Sequence, residues 1–317
     1  MLPRGTVKRT GRRLTICAAA LAAAVALAAC RDVFYVEVGK DKNTAATAVA
    51  GPRRIISLSP SATEVLWGVG AFPRVVAVSD YDDFPPEVKD LPKIGGWSNT
   101  NLEQVAALKP DLVVVTQSQA PMIKDRLDAL GVRVLVTPSY TVEDALASIT
   151  QIGAAVGEDE AARRLLAETR AKLDDVRART RDLKPKRVLC IVDRVPGTLR
   201  GLYTATGGSF IAELIGIAGG ESVAPPAATG FGQISKEAIV ALDPEVIIDM
   251  VQGAKDSRLA EDPKQVWQEL SRVRAVREGR VHALRDTSVL HPSQRVADTA
   301  RKFAELLHPE AFADREK

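Results

Sequence analysis

The sequence predicts an α/β protein of two similar lobes, each built on a central, mainly parallel sheet, joined by one long backbone helix. Three observations carry that prediction. A unit of helix, proline and buried strand is written twice, as NLEQVAALKPDLVVV at 101–115 and SKEAIVALDPEVIID at 235–249. Strand-like and helix-like patterns alternate around both copies, as in a sheet covered by helices. Between the copies, EDEAARRLLAETRAKLDDVRARTRDL runs from Glu158 to Leu183 without a glycine or proline.

The repeated unit has a simple physical content. Glu103/Glu237, Ala107/Ala241, Leu108/Leu242 and Pro110/Pro244 are identical, and most other pairs keep their character. Asn101 or Ser235 can cap a short helix, and an acid in the first turn suits the positive end of the helix dipole. Proline ends the helix, and the apolar, β-branched run after it reads as a strand buried on both faces. Two copies this far apart mark equivalent places in two lobes rather than a solenoid, whose period is about 20–50 residues.

The first lobe opens with RRIISLSPSATEVLWGVGA at 53–71, a buried strand turning at Ser59-Pro60 into a helix. Ser61 followed by Glu64 matches a capping box. RVVAVSDYDDFPPE is a strand running into a polar, aromatic loop, and LPKIGGWSNTN is loop chemistry in which Gly95-Gly96 presents Trp97. The first repeat unit and APMIKDRLDALGVRVLVTPS, a helix and strand, complete the lobe.

In 158–183, apolar or small positions recur at Leu165, Leu166, Thr169, Leu173, Val176, Thr180 and Leu183. That spacing predicts one amphipathic helix, roughly 40 Å long at ~1.5 Å per residue. A coiled-coil dimer is the rival reading, disfavoured by Thr at the seam and fewer than four heptads. After Pro185, KRVLCIVD parallels RRIISLSP, and GGSFIAELIGIAGG supplies a helix with a glycine stop. The second repeat, VWQELSRVRAVREGRVHAL and a closing helix after His291-Pro292 follow. Trp67 and Trp267 sit within helical patterns and are expected in the core.

The first residues stand apart from the fold. MLPRGTVKRTGRR carries five basic residues and no acid, and an Ala-rich apolar stretch from Leu14 ends LAAC at Cys30. This describes a secretory signal, the apolar run being shorter than the ~20 residues of a spanning helix. Cysteine after Leu-Ala-Ala also resembles a bacterial lipobox, in which Cys30 is lipidated and becomes the new N-terminus. An ordinary signal peptide and an uncleaved anchor are the other readings. The formal net charge of +3 is outweighed by the five leader cations, so the exported part is slightly acidic and nucleic acid is no expected partner. With Cys17 in the leader and Cys30 lipidated, Cys190 is the one remaining cysteine and is expected to be a buried, inert thiol.

The expected organisation is a lipoprotein signal at 1–29, a lipid-anchored tether at 30–52, an N-terminal lobe at 53–157, a linking helix at 158–184 and a C-terminal lobe at 185–317. At about 150 residues per domain, 317 residues suit two cores.

This layout resembles the substrate-binding proteins of bacterial ABC importers for cobalamin, ferric siderophores and haem. The matching stretches, in order, are RRIISLSPSATEVLWGVGA, VAVSDYDDFPPE, LPKIGGWSNTNLEQVAALKPDLVVV, GGSFIAELIGIAGGESV, QISKEAIVALDPEVII and VREGRVHAL, spanning roughly 53–307. SDYDDFPPE and GGWSNTNLE are most similar to the cobalamin binders. The resemblance implies Rossmann-like lobes and a protein, expected to be monomeric, held by the lipid on Cys30 at the extracytoplasmic face of a bacterial membrane. It would capture a metal chelate, cobalamin first and ferric siderophore or haem as alternatives, and deliver it to an ABC permease and its ATPase. No intrinsic cofactor is implied. The stiff helix implies modest lobe closure.

The resemblance also implies site residues. Each lobe of such proteins carries a surface glutamate that docks on permease arginines, matched here by Glu64 and Glu237. Tyr81 and Trp97 match cobalamin-cleft positions, and Phe231 falls where the cobalamin binders often place a tryptophan. Rigid aromatics bury area against a broad apolar chelate face at low entropic cost. In a chain with 4% aromatic residues, three on matching loops stand out. His291 replaces an arginine that touches the ligand in relatives. It can coordinate cobalt or iron, hydrogen-bond a ligand amide, or serve the fold alone. Gln117 lies near where cobalamin binders carry another aromatic.

Two rival classes remain in view. An enzyme is disfavoured by the absence of G-x-S-x-G, of a P-loop and of G-x-G-x-x-G after a strand. DYDDF matches no calcium loop and reads as a solvated turn, and the three histidines, His282, His291 and His308, are too scattered for a zinc importer. A lipid-anchored sensor that feeds no permease is the second rival.

Overall fold

The computed structural model describes residues 51–227, 230–250 and 263–313. The expected leader, Cys30 and nearly all of the tether lie outside the described residues.

The first sheet is assembled from short apolar runs. Strands β1 (Ile55–Ser57), β2 (Val75–Val78), β3 (Leu112–Thr116) and β4 (Val134–Thr137) pair in the order β2-β1-β3-β4. All three pairings are parallel, with Ile55 opposite Leu112 and Val113 opposite Val134. Helices α1 (Pro60–Gly68), α2 (Leu102–Leu108) and α3 (Ala120–Ala129) make the crossovers. Successive strand residues face opposite ways. Ile55, Leu112 and Val114 therefore join one core layer, and Ile56, Val113 and Val115 the other.

The chain then turns through α4 (Val142–Val156) and α5 (Asp159–Thr180). Thr141 and Asp144 form the capping box of α4, and Gly157, at φ 77°, ends it in the left-handed conformation. The linking helix α5 has 22 residues, roughly 33 Å at about 1.5 Å per residue, shorter at both ends than the pattern predicts. It pairs with α4, and Gly153 permits the close approach: a Cβ there would stand 2.3 Å from the Ala162 Cβ. Gly153→Ala is expected to cost about 1–3 kcal/mol by overpacking this crossing, read as a lower urea midpoint.

The second sheet centres on β5 (Lys186–Asp193). Its order is β10-β9-β5-β6-β8, with β7 also on β5. Here β6 is Tyr203–Ala205, β7 Gly220–Ser222, β8 Phe231–Gln233, β9 Val246–Met250 and β10 Val281–Leu284. β10, β9, β5 and β7 run parallel, while β6 and β8 add an antiparallel flank. Helices α6 (Phe210–Ile217), α7 (Lys236–Leu242), α8 (Pro263–Trp267) and α9 (Arg274–Arg277) lie along this part, followed by α10 (Val296–Leu307) and α11 (Pro309–Phe312).

The repeat proves to be structural in detail. Asn101 Oδ1 caps α2 by accepting from the Gln104 amide at 3.0 Å, and Ser235 Oγ caps α7 by accepting from the Ala238 amide at 3.2 Å. Both helices end on a left-handed non-glycine residue just before the shared proline, Lys109 at φ 46° and Asp243 at φ 40°. The Arg54 guanidinium donates to the Leu108 carbonyl at 2.7 Å, and Arg187 does the same to Leu242 at 2.6 Å. The two lobes thus close their helix ends with one device.

One apolar core layer runs through both lobes. It holds Ile55 and Leu112 of the first sheet, Leu173 and Val176 of α5, and Val188, Cys190 and Ile248 of the second sheet. Burial pushes the Cys190 thiol far up, as expected of an inert cysteine. Trp267 is fully buried, its indole N–H donating to Asp249 at 2.7 Å. Trp67 is not in the core: it is 48% exposed at the end of α1 and meets Phe84 edge-on at 4.9 Å. Helical periodicity placed it on the wrong face.

Candidate functional site

In a parallel sheet the crevice beyond the carboxyl ends of the strands is the natural place for a ligand. The loops after β1, β2, β3 and β4 all reach such a cleft here, through Ser59, Tyr81, Ser118 and Tyr140 respectively. The second lobe faces them with Phe210, Phe231 and the 285–295 segment that follows β10. The cleft encloses about 1340 Å³, above the ~300–1,000 Å³ usual for small-molecule sites. Tyr81, Trp97, Phe231 and His291 all line it. The sequence reading missed Phe84, Tyr140 and Phe210, aromatic residues of the same wall. Ser118 lines the cleft, while Gln117 does not.

Local chemistry explains how the aromatics are displayed. The Asp82 carboxylate turns inward, accepting from the Ser79 amide at 3.0 Å and its hydroxyl at 2.5 Å. Burial pushes the Asp82 carboxyl up, and the Ser79 hydrogen bonds offset part of that rise. Closing the turn on Asp82 leaves Tyr81 59% exposed toward the cleft. The expected solvated DYDDF turn is therefore corrected at its centre, because Asp82 is buried. Gly95, at φ 98°, and Gly96 carry the next loop past Tyr81: a Cβ on Gly96 would stand 2.9 Å from the tyrosine ring. Asn99 Oδ1 accepts from the Gly96 amide at 2.8 Å and holds the turn that exposes Trp97.

His291 is held by a buried carboxylate. Its Nδ1 lies 2.8 Å from Glu64 Oε1, Arg295 Nη1 donates to the same oxygen at 3.3 Å, and the Ser293 hydroxyl donates to Glu64 Oε2. The Gln294 amide donates to the Glu64 main-chain carbonyl at 2.9 Å. Arg295 also lies over the Phe84 ring, 4.8 Å from its centroid. On the rim, the Thr287 hydroxyl donates to Asp83 at 2.7 Å, tying the second lobe to the first. Partial burial disfavours the Asp286 carboxylate, but hydrogen bonds from Lys302 and Ser288 outweigh it and hold the carboxyl at about 2.

This geometry corrects the docking assignment of Glu64. The helix starts with Pro60 at its first position after Ser59, and no side chain caps it. Glu64 therefore stands beyond the first turn and is 0% exposed, so it cannot meet a permease. Glu237 is exposed in the first turn of α7, where hydrogen bonds from its own amide and the Ser235 hydroxyl lower its pKa. Its repeat partner Glu103 is exposed in the first turn of α2. The sequence reading passed over Glu103 as an exposed counterpart of Glu237, although the identity of these two positions in the repeat could have found it. Among the described residues, no cluster of three or more His, Cys, Asp or Glu is arranged to hold a bare metal ion.

The chain matches a family model described as periplasmic binding protein over residues 55–287. It is 30% identical over 325 residues to an uncharacterized ABC transporter substrate-binding lipoprotein of Bacillus subtilis (strain 168), covering 96% of this chain and 99% of the relative. It is 29% identical over 196 residues to a vitamin B12-binding protein of Yersinia pestis (strain Pestoides F), covering 62% of this chain and 68% of the relative. In fold it is similar to the periplasmic vitamin B12-binding protein of Vibrio cholerae, with a TM-score of 0.70, 24% identity, and coverage of 83% of this chain and 99% of the other. A periplasmic haem-binding protein of Roseiflexus sp. RS-1 gives a TM-score of 0.72 with 24% identity, covering 82% of this chain and all of the other. With two α/β lobes about an aromatic cleft and a family match across both, the chain belongs to the periplasmic binding proteins, which serve transporters as binding components rather than as enzymes.

Proposed function

We propose that this protein captures a large metal chelate, cobalamin before others, in the inter-lobe cleft and delivers it to an ABC permease. The observation that carries the reading is the cleft itself: about 1340 Å³, walled by Tyr81 and Trp97 from one lobe and Phe231 from the other. Two exposed loop aromatics, Tyr81 and Trp97, facing the half-buried Phe231 at the start of β8 suit a broad, rigid, mostly apolar ligand that needs little ordering on binding. The ligand brings its own metal. Haem or a ferric siderophore is the second reading, favoured by Arg285 and Arg295 at the cleft, which suit ligand carboxylates.

The lipid on Cys30 holds the protein at the extracytoplasmic membrane face. Docking falls to Glu103 and Glu237, equivalent acids on equivalent helices, which present a pseudo-symmetric pair to a two-fold permease. The core layer shared by both lobes resists a wide hinge, so capture proceeds with modest closure.

The test is a fluorescence-quenching panel with cyanocobalamin, hemin and a ferric hydroxamate, using the full-length protein in detergent. Cyanocobalamin is expected to bind most tightly, and Phe231→Ala to weaken it by roughly tenfold, as for a central aromatic contact. Tightest binding of the hydroxamate, or equal binding by the variant, would overturn the cobalamin reading.

A further inference from the structure

The end of the first lobe farthest from the cleft carries a row of cations. Strands β1, β2, β3 and β4 run parallel and their carboxyl ends reach the cleft, so their amino ends lie together at the opposite pole. A basic residue stands just before each of them: Arg74 before β2, Arg53 and Arg54 before β1, Lys109 before β3 and Arg133 before β4. Arg74 is paired with Glu158 at 2.9 Å, and the Arg54 guanidinium is spent on the Leu108 carbonyl. Arg53, Lys109 and Arg133 are exposed, and their side chains make no hydrogen bond or ion pair among the described residues. Of the acids at this pole, Asp111 accepts from the Arg53 and Arg54 amides at 2.7 and 2.9 Å, and Asp128 is paired with Lys124. Lys109 sits at φ 46°, in the left-handed region that asparagine, aspartate and glycine tolerate best. Its counterpart in the repeat, Asp243, accepts from the Arg274 amide at 2.7 Å. The first lobe thus holds a strained, unbonded lysine where the second holds a bonded aspartate. At the other end of the lobe Asp80, Asp83 and Glu103 are exposed, so the lobe is electrically polar along its strands.

The chain enters the fold at this same pole. Gly51 lies against the Val156 carbonyl, where a Cβ would stand 2.3 Å from the oxygen. Arg74 donates to that oxygen at 2.8 Å and to the Pro52 carbonyl at 3.4 Å. Cys30 is 21 residues upstream of Gly51, a reach of at most roughly 75 Å. Between them Arg31, Lys40 and Lys42 are balanced by Asp32, Glu37 and Asp41, so the free positive charge belongs to the pole. We infer that this pole is a second membrane contact, in which Arg53, Lys109 and Arg133 settle on anionic phospholipid headgroups. The inference rests on the lipid anchorage at Cys30 proposed above. An acyl anchor beside a basic patch is a two-part membrane attachment, and each cation near an anionic surface shifts the equilibrium roughly fivefold. The contact turns the acidic, cleft end of the first lobe away from the lipid and leaves it open to ligand. Docking on a permease in the same membrane then requires the pole to let go, which the length of the tether allows.

The full-length protein, produced as a lipoprotein, is reconstituted on vesicles of phosphatidylcholine alone or with about one-third phosphatidylglycerol. Flotation on the neutral vesicles reads the anchor separately from the pole. A single fluorophore is placed at Leu130→Cys, an exposed position near Arg133 in the chain, while the buried Cys190 stays unlabelled. Energy transfer to an acceptor in the headgroup layer is recorded. Ser271→Cys, exposed near the amino ends of the second sheet, carries the label for comparison. Anionic lipid is expected to raise transfer from the Leu130→Cys label at least about twofold and to leave the Ser271→Cys label unchanged, and about 0.5 M salt should remove the rise. Arg53→Gln, Lys109→Asn and Arg133→Gln together should remove it as well, with cyanocobalamin affinity unchanged. Lys109→Asn alone should raise the urea midpoint, since asparagine suits the left-handed position; a lower midpoint would give Lys109 a place in the fold and overturn its role at the membrane. Flotation on both vesicle types without an anionic rise, a rise that the triple variant keeps, or a rise at the Ser271→Cys label instead overturns the pole contact and leaves the anchor standing. Protein that does not float on phosphatidylcholine lacks the anchor, and the inference falls with the anchorage it rests on.

Discussion

Glu64→Ala is expected to lower the unfolding free energy by about 3–5 kcal/mol, the range for removing one partner of a buried ion pair. Glu64 is fully buried, and three side chains converge on its carboxylate: His291, Ser293 and Arg295. Removing the carboxylate leaves the partly buried Arg295 guanidinium with only the more distant Asp286, at 3.9 Å, and the buried Ser293 hydroxyl without its acceptor, and that desolvation penalty dominates. The three partners follow the second sheet in sequence, whereas Glu64 belongs to the first lobe, so the loss also loosens the joint between lobes. Glu64→Gln, which keeps hydrogen-bonding capacity without the charge, should cost less. Urea denaturation of the full-length variants measures the difference. An unchanged midpoint combined with lost uptake would return Glu64 to the surface role that its position in SATE first implied.

The second large effect is on transport. Reversing both acids proposed to dock, Glu103→Arg with Glu237→Arg, is expected to cut cellular uptake of labelled cyanocobalamin by at least about tenfold. Like charge against a complementary interface costs several kcal/mol and slows encounter. Both residues are exposed, and neither lines the cleft, so the affinity of the purified protein for cyanocobalamin should stay within about twofold. Each single reversal leaves one lobe docked and should give an intermediate loss. Uptake at the normal rate in the double variant would remove these acids from the permease contact.

The layout could be read from the chain because its signals are local. The apolar runs of β3 and β9, the caps Asn101 and Ser235, and the proline after each left-handed residue act within a few positions of one another. Tyr81, Trp97, Phe231 and His291 are expected at the cleft from the family resemblance rather than from local chemistry, and all four line it. What escaped depends on distant contacts. SATE has the form of a capping box, but Pro60 starts the helix earlier and carries Glu64 into its interior, against residues more than two hundred positions away. Trp67 has an apolar helical spacing, yet it is 48% exposed, with the Phe84 ring set edge-on to it. The α4–α5 pairing rests on Gly153 fitting Ala162, a matter of shape that periodicity does not encode.

The central claim is that the inter-lobe cleft holds a cobalamin-like chelate on its aromatic walls. Calorimetric titration of cyanocobalamin into the full-length protein, repeated with Trp97→Ala, tests it most directly. The account predicts saturable one-to-one binding that weakens by roughly tenfold or more in the variant, as for a buried aromatic anchor. No heat of binding, or binding that Trp97→Ala leaves unchanged, would contradict it.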